Sequence, residues 1–590
     1  MYLEVVLEVA RRSDELHRPV FVRADLARMS VECEPVPARY RYMGGRQLTS
    51  RLLVEEVPAA CDPLGAENQA IVAPGALSHR RIPCSGRTSI GAKSPLTGGI
   101  KESNVGGTAS HSLSGLGIKA LIIKGGRPDG GPFVLRIGGD KISVLKADSL
   151  AGMSNYRTVE ALVGEFGAGA SVLSVGPAGE GLLPMATVAV TDGDGRPSRH
   201  AGRGGLGAVL ASKGVKAIVV ERASADPPGF AASERLRDIV RDWAAGLRTS
   251  KQTMTKYGTA NLVLPVNALG GLPTRNFSQG QFEGAEAISG GALAQLLASR
   301  GGRTGHPCHP GCAIRCSNVY VDPNGSYVTS GLEYETIGLL GSNCGVSDLD
   351  TIAAADRRCD DIGLDTMETG ATLGIAMEAG VAEFGDGEAL LHLIDEIARG
   401  SEIGRILGQG ASAAGKVLGV ARIPVVKGQA MSAYDPRAFK GTGVTYATSP
   451  MGADHTAGNC LPGRGGLHDE NRSGLDGHSP DNQWRLSQDV QILTTICDIL
   501  GICFFVGTTP SNLEVMASLF SLVTDRSWSV RDLLQAARDT LKAEQAFNRM
   551  AGIGGTPHNR IPDFFRTEPL PPTGLVFDVP QQDLDAAAAL

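Results

Sequence analysis

Gly305-His-Pro-Cys-His-Pro-Gly-Cys-Ala-Ile-Arg-Cys316 places cysteines at 308, 312 and 316, and Asp498-Ile-Leu-Gly-Ile-Cys503 supplies a fourth far downstream. On a continuous helix Cys308 and Cys316 would stand about 12 Å apart, at roughly 1.5 Å per residue. Pro307, Pro310 and Gly311 break such a helix and let the chain curl around a metal centre. With Cys503 the donors number four thiolates, the usual complement of a cubane iron–sulfur cluster. Zinc accepts the same donors, so the residues alone leave both metals open, with a disulfide pair as a third reading. The cysteine triplet of radical enzymes has spacings of three then two and does not match.

The chain has 590 residues, more than one core usually serves, and a net charge of −6 without a long Lys/Arg run. Small molecules or proteins are therefore expected as partners, not nucleic acid. The opening Met1-Tyr-Leu-Glu-Val-Val-Leu-Glu lacks the basic and apolar segments of a signal peptide, and no run of about 20 apolar residues occurs. This predicts a cytoplasmic protein that does not enter a membrane. Eleven cysteines without the even spacing of a secreted scaffold fit reduced thiols and metal ligation.

Up to residue 222 short apolar runs alternate with turns, as in Ala120-Leu-Ile-Ile-Lys124, Phe133-Val-Leu-Arg-Ile137, Ser171-Val-Leu-Ser-Val175 and Lys216-Ala-Ile-Val-Val220. A linker is expected at Ser224-Ala-Asp-Pro-Pro-Gly229. Helical periodicity follows, from Ser233 to Trp243 and again from Trp484 to Leu500. The fold class is α+β: a β-rich part over 1–222, then helical parts over 223–430 and 431–590. The polar run from Leu461 to Asn482 reads as a long surface loop.

The chain holds 78 glycines, many in phrases such as Gly98-Gly99, Gly106-Gly107 and Gly202-Arg-Gly-Gly-Leu-Gly207. Gly202, Gly204 and Gly207 spell GxGxxG, but the preceding Asp192–Ala201 is polar and reads as a loop, so the dinucleotide reading fails. Exposed amides with Arg203 at a helix start would still hold a phosphate. Gly86-Arg87 through Asn104-Val-Gly-Gly107 forms a second such region, which suggests a cofactor larger than one nucleotide.

Asp360-Asp-Ile-Gly-Leu-Asp365 and Asp498-Ile-Leu-Gly-Ile-Cys503 repeat one phrase, each after a helical segment with a glycine suited to stop it. A carboxylate at a helix C-terminus opposes the macrodipole by about 0.3–1 kcal/mol, so Asp360 and Asp498 call for a ligand with paired N–H donors. The aminopyrimidinone edge of a pterin has that pair, and two repeats imply two pterins.

With these motifs the chain resembles the aldehyde ferredoxin oxidoreductase family of tungsten or molybdenum bis-pyranopterin enzymes over nearly its whole length. The resemblance also rests on Lys93-Ser-Pro-Leu-Thr-Gly98, Gly176-Pro-Ala-Gly-Glu180, Ser212-Lys213, Lys256-Tyr-Gly-Thr259, Glu333-Tyr-Glu335, Ala433-Tyr-Asp-Pro-Arg437 and Phe547-Asn548. It implies a β-rich base closed by two helical domains, a metal held by pterin dithiolenes, a bridging Mg²⁺ and a [4Fe-4S] cluster. By position, Arg87, Asn104, Gly106, Arg203 and Gly204 would hold pterin phosphates or Mg²⁺, and Asp360, Asp365 and Asp498 the pterin rings. Cys308, Cys312 and Cys503 match cluster ligands. The family's first cysteine position falls on Gly305, so Cys316 is the candidate substitute, with His306 or His309 as alternatives. The Glu-x-x-His phrase of a dimer-bridging iron site is replaced by Ala354-Ala-Asp-Arg357, which leaves a homo- or hetero-oligomer to other surfaces.

For the chemistry the resemblance points to Glu335 and to His455 in Gly452-Ala-Asp-His-Thr456. Glu333 has capping-box spacing from Ser330 and reads as a structural first-turn residue. The implied activity is oxidation of a small aldehyde by water, with electrons passing to ferredoxin or a dedicated electron-transfer subunit. A related reductase acting on another carbonyl or acyl substrate, and a zinc- or cluster-stabilised scaffold without catalysis, are the alternatives.

Overall fold

The computed structural model describes residues 3–590 apart from 17, 127–130, 223–225, 228–229, 231–232, 463–466 and 468–475. Most of the expected linker at 224–229, and the middle of the polar run at 461–482, therefore lie outside the described residues.

The β-rich part is two mixed sheets pressed face to face. One runs in the order Ser30–Pro35, Val20–Asp25, Ile118–Lys124, Ala70–Pro74, Thr88–Lys93, Ile100–Val105. The other runs Glu4–Ala10, Lys141–Lys146, Phe133–Ile137, Val215–Val220, Ser171–Ser174, Val188–Val190, Arg199–Ala201. Among the described residues two neighbouring pairs are parallel, Val20–Asp25 with Ile118–Lys124 and Phe133–Ile137 with Val215–Val220.

The period-2 alternation of a strand sorts these side chains into layers. Val20, Val22 and Ala24 enter a core shared with Leu135, Val144, Leu173 and Ile218 of the facing sheet. Phe21, pointing the other way, packs with Leu48, Leu52 and Leu53 of the helix Gly45–Glu56. On the far side Val134, Leu145, Val172 and Val219 pack with Val159 and Leu162 of the helix Asn155–Phe166. The result is a helix–sheet–sheet–helix base. The expected strands appear within a residue or two. Arg199–Ala201 is a three-residue strand where the sequence reads as loop, because its partner Val188–Val190 fixes it by backbone pairing across the sheet.

The remainder is mainly helical, with a small sheet of Arg303–His306, Ser317–Val321 and Tyr327–Ser330 and a short pair, Val425–Val426 with Gln429–Ala430. Glu234–Ser250 and Gln483–Leu500 occupy the predicted segments. No helix among the described residues is long and apolar enough to cross a membrane.

Both Asp-x-x-Gly phrases end helices as read: Leu349–Ile362 stops at Gly363 with φ 86°, and Gln483–Leu500 stops at Gly501 with φ 73°. Each stop is seated on a glycine that follows a strand of the base. After Ala70–Pro74, Ala76 and Leu77 donate to the carbonyls of Ile499 and Leu500 at 2.9 Å each, and Arg87 N–H donates to Gly501 at 3.2 Å. At the other stop Thr187 N–H donates to Gly363 at 2.9 Å. The base thus satisfies carbonyls that a helix end leaves unpaired. There is no room for a methyl group: a Cβ on Gly75 would lie 2.1 Å from Gly501 Cα, and one on Gly176 would lie 2.2 Å from the Ile362 carbonyl oxygen.

Gly75→Ala and Gly176→Ala are therefore expected to cost about 1–3 kcal/mol or more through overpacking and to weaken retention of any cofactor held at these seats. Thermal unfolding checks this against Gly164→Ala, where a Cβ meets nothing within 4 Å.

Candidate active site and metal centre

The two seated helix ends, the glycine-rich loops of the base and the 452–456 loop converge on one buried region. On one side Asp498 and Glu102 lie near Arg46, whose guanidinium bonds Glu544 at 2.8 and 2.9 Å and Asp498 at 3.3 Å. Burial, with the Asp498 charge added, pushes the Glu102 carboxyl up to about 8; burial raises Asp498 to about 6 despite Arg46. On the other side Asp360 lies 3.1 Å from His200 Nε2, and burial takes its carboxyl up to about 8 against the pull of Arg199 and Arg357. Both repeat aspartates thus sit buried at helix C-termini, where burial raises their carboxyls despite Arg46 on one side and Arg199 and Arg357 on the other.

Asp365 behaves differently. It caps the helix Thr366–Glu378 by accepting from Met367 N–H and meets Arg203 Nε at 3.1 Å. Arg203 also donates to the carbonyls of Ala430 and Ala453 at 2.7 Å each, so its guanidinium ties the glycine loop to the loop carrying His455. Gly204, with φ 88°, lets the Lys101 side chain pass where a Cβ would come within 2.5 Å of it. Lys101 thereby reaches Asp454 as a buried ion pair. Burial works against the Asp454 charge, but Lys101 and Arg203 hold that carboxyl well below its usual range.

Glu335 and His455 come together at the centre, with His455 Nε2 3.6 Å from Glu335 Oε1. Glu335 Oε2 accepts the Ala433 amide at 2.7 Å, while Oε1 is buried without a hydrogen-bond partner. Burial raises the Glu335 carboxyl, opposed by His455. His455 Nδ1 is likewise unpartnered by a hydrogen bond, although Asp454 Oδ1 stands 3.8 Å away. Glu333 corrects the capping-box reading: Ser330 ends a strand and bonds Tyr327, and the Glu333 carboxylate instead accepts from Thr259. The short helix Tyr334–Thr336 starts too late for Ser330 to cap it.

Cys308, Cys312, Cys316 and Cys503 gather beside this region, with Cys312, Cys316 and Cys503 in one core cluster and Cys308 packed against it. Burial and the charges of Glu333, Cys308, Cys503 and Cys312 push the Cys316 thiol up. A metal relieves that crowding because a coordinating thiol is deprotonated outright. Sulfur donors Cys308 and Cys312 lie with a His309 ring nitrogen within 4.8 Å of one another. His309 Nδ1 lies 2.7 Å from the Pro310 carbonyl and its Nε2 is buried without a partner, whereas His306 Nε2 stands 3.5 Å from Asp192 Oδ2. Gly106 closes over Cys308, its Cβ position only 3.4 Å from the sulfur and 3.5 Å from Arg87 Nη1. Asn104, on the strand Ile100–Val105, reaches Glu102 at 3.5 Å.

Arg87 bridges the two halves of the site. Its burial disfavours charge, yet Cys503, Cys308, Cys316 and Asp498 hold it charged. Arg199, absent from the sequence-based set, is also buried, and its Nε and Nη2 have no hydrogen-bond partner. An orphaned guanidinium beside buried carboxylates and clustered thiols suits an anionic, donor-bearing cofactor and a thiolate-bound metal. Glu102, Lys101, Asp454 and Cys84 were also missed. Lys101 and Glu102 stand close to Asn104, Asp454 next to His455 and Cys84 close to Gly86-Arg87, and that nearness is the signal that could have found them.

Two family models cover the chain: the aldehyde ferredoxin oxidoreductase N-terminal domain matches residues 21–222, and domains 2 and 3 of the same family match 238–587. The chain belongs to the aldehyde ferredoxin oxidoreductase family and is an oxidoreductase of that kind. It is 32% identical over 574 residues to a tungsten-containing aldehyde ferredoxin oxidoreductase of Thermococcus kodakarensis, covering 93% of this chain and 92% of the relative. A Pyrococcus furiosus relative described as an aliphatic sulfonate oxidoreductase, WOR-like subunit, is 26% identical, with 72% of each chain covered. Among solved structures, the active-site complex BamBC of benzoyl coenzyme A reductase with 1,5-dienoyl-CoA shares the fold, with TM-score 0.75, 18% identity and coverage of 90% and 89%.

Protonated carboxylates inside the fold make stability depend on pH. Without cofactor, Glu102, Asp360, Glu368 and Asp498, raised to between about 6 and about 8, keep protons that the unfolded chain has already lost. The folded state then binds more protons between the ordinary carboxylate range, about 4, and about 8, so stability is expected to fall as pH rises across that span. Urea unfolding of cofactor-free protein at pH 5, 6.5 and 8 checks this, with Glu102→Gln giving a shallower fall.

Proposed function

We propose that the protein oxidises a small aldehyde with water to a carboxylic acid, releasing two electrons and two protons. The observation that carries this reading is the half-buried Glu335–His455 pair, 3.6 Å apart, with Glu335 Oε1 free of any hydrogen bond. When bound, a bis-pyranopterin tungsten or molybdenum centre supplies the two-electron redox step. Asp360 and Asp498 would hold its pterin rings; Arg87, Arg199, Asn104 and Gly106 would line its phosphates and bridging Mg²⁺. Arg203, Gly204 and Asp365 act one layer back, bracing the loop that carries His455.

Glu335, raised by burial, is suited to take a proton from water, and the Ala433 amide fixes its orientation. His455 orients the oxygen and passes the proton outward, being the more exposed of the pair. Cys308, Cys312, Cys316 and Cys503 would hold the [4Fe-4S] cluster through which electrons leave. Positioned acid–base groups contribute about 10²–10⁴-fold. Glu335→Gln should therefore lower aldehyde-dependent viologen reduction on that scale with W, Mo and Fe content unchanged; full activity would remove Glu335 from the mechanism.

The exit has a charge. Arg248, Lys256 and Arg315 line one groove that has no carboxylate in its lining, and its wall Ala313–Arg315 is the link between Cys312 and Cys316. On a chain of net charge −6 this favours an acidic carrier such as a ferredoxin. Arg248→Glu with Lys256→Glu is expected to raise the KM for an acidic ferredoxin at low salt and to leave viologen kinetics unchanged. A second reading keeps the same centre and changes the substrate to another carbonyl or acyl compound, the sulfonate-named relative being a case of a different substrate in a similar chain; dye reduction by aldehydes, compared with dye oxidation by acids and thioesters, separates the two.

A further inference from the structure

Asp454 carries a charge that its place in the chain does not require. It begins the turn His455–Ala457, where its Oδ1 accepts the Thr456 amide at 3.0 Å and the Thr456 hydroxyl at 2.7 Å. A neutral asparagine or serine caps such a turn equally well. The carboxylate is nevertheless kept, buried, against the Lys101 ammonium. Lys101 belongs to the strand Ile100–Val105 of the base and is itself fully buried. It reaches Asp454 past Gly204, where a Cβ would lie 2.5 Å from Lys101 Cγ, so the glycine loop is shaped to let this cation through. Replacing both members of a buried ion pair by neutral groups is often harmless to stability. Stability therefore does not account for the pair.

The neighbouring imidazole does. The His455 ring lies between two carboxyl groups, with Nε2 3.6 Å from Glu335 Oε1 and Nδ1 3.8 Å from Asp454 Oδ1. The two carboxyls differ in character. Burial raises Glu335, opposed by His455, whereas Asp454 is held as the anion against burial, by Lys101 and then Arg203. At 3.8 Å the contact with Nδ1 is electrostatic and not a hydrogen bond, but a fixed anion still attracts an N–H and repels a lone pair. Which imidazole nitrogen carries the proton is set by what the other faces.

We propose that Asp454 and Lys101 are positioning residues for His455: their ion pair fixes the Nδ1–H tautomer and leaves Nε2 as the acceptor for the proton that Glu335 takes from water. The proton leaves Glu335 Oε1 for Nε2, the Glu335 carboxylate is restored, and the imidazolium so formed has the Asp454 charge behind it to offset its own. No electron moves in this step. The inference rests on the reading of Glu335 and His455 as the acid–base pair, and the experiment separates the two.

Holoenzyme labelled with ¹⁵N in its histidines is compared with the double variant Lys101→Met/Asp454→Asn, which removes both charges and keeps an oxygen for the Thr456 amide. Imidazole ¹⁵N resonances report the tautomer, and the spectrum of His455→Gln identifies the signal among the 11 histidines. The expected result is Nδ1–H in the parent and loss of that preference in the double variant. Its kcat for aldehyde-dependent viologen reduction should fall by about 10²-fold, the lower end of what a positioned acid–base group contributes, with KM and metal content unchanged. An Nε2–H tautomer in the parent would overturn the proposal, and that spectrum decides the point even where the double variant does not fold. Parent-like tautomer and kcat in a folded double variant would overturn it as well. Full activity in His455→Gln would instead defeat the reading of the acid–base pair.

Discussion

Two helix ends seated on two glycines organise the molecule. Gly501 lies on Gly75, and the Ile362–Gly363 turn lies on Gly176, with separations that admit no side chain. Each seat follows a strand of a different sheet of the base, Ala70–Pro74 in one and Ser171–Ser174 in the other. Because the amides of the base satisfy the terminal helix carbonyls, the position of Asp498 and Cys503, and likewise of Asp360, follows from backbone hydrogen bonds. Those carboxylates are then held where the helix macrodipole and burial both oppose their charge.

The charged groups form distinct layers around this frame. Arg46 is matched within the protein by Glu544 and Asp498, and Arg203 by Asp365, Glu368 and two carbonyls. Removing one partner from such a buried pair leaves an uncompensated charge, so each pair holds its segments in place. Arg199 and Glu335 each keep polar atoms without hydrogen-bond partners, and Asp360 holds its proton near neutrality. A buried polar atom left unsatisfied is costly, and its concentration in one region marks where a ligand's atoms belong.

The strands and long helices were legible because hydrophobic period reports which face is buried. Phe133–Ile137 and Gln483–Leu500 are strand and helix by that criterion alone. The Arg199–Ala201 strand was not, since its pairing with Val188–Val190 is set by the sheet and not by its own polar sequence. The Ser330–Glu333 spacing misled for a related reason: spacing measures distance along a helix, and that helix begins only at Tyr334. Repetition made Asp360 and Asp498 visible. Lys101, Asp454, Arg199 and Cys84 belong to no repeated or spaced pattern.

The sequence by itself determined the fold class, the family and the two helix stops, because each is written in local spacing, period or glycine position. Tertiary structure alone decided how these parts are used. It separated Asp365, which caps a helix and meets Arg203, from Asp360, which lies 3.1 Å from His200 Nε2, although both belong to one motif. It turned Arg203 into a brace between loops 250 and 227 residues away along the chain. It also brought the Cys84 sulfur to the Ala313 amide, 229 residues away along the chain. The physical reason is that burial and charge pairing depend on which segments the two seats draw together, and sequence spacing carries no record of that distance.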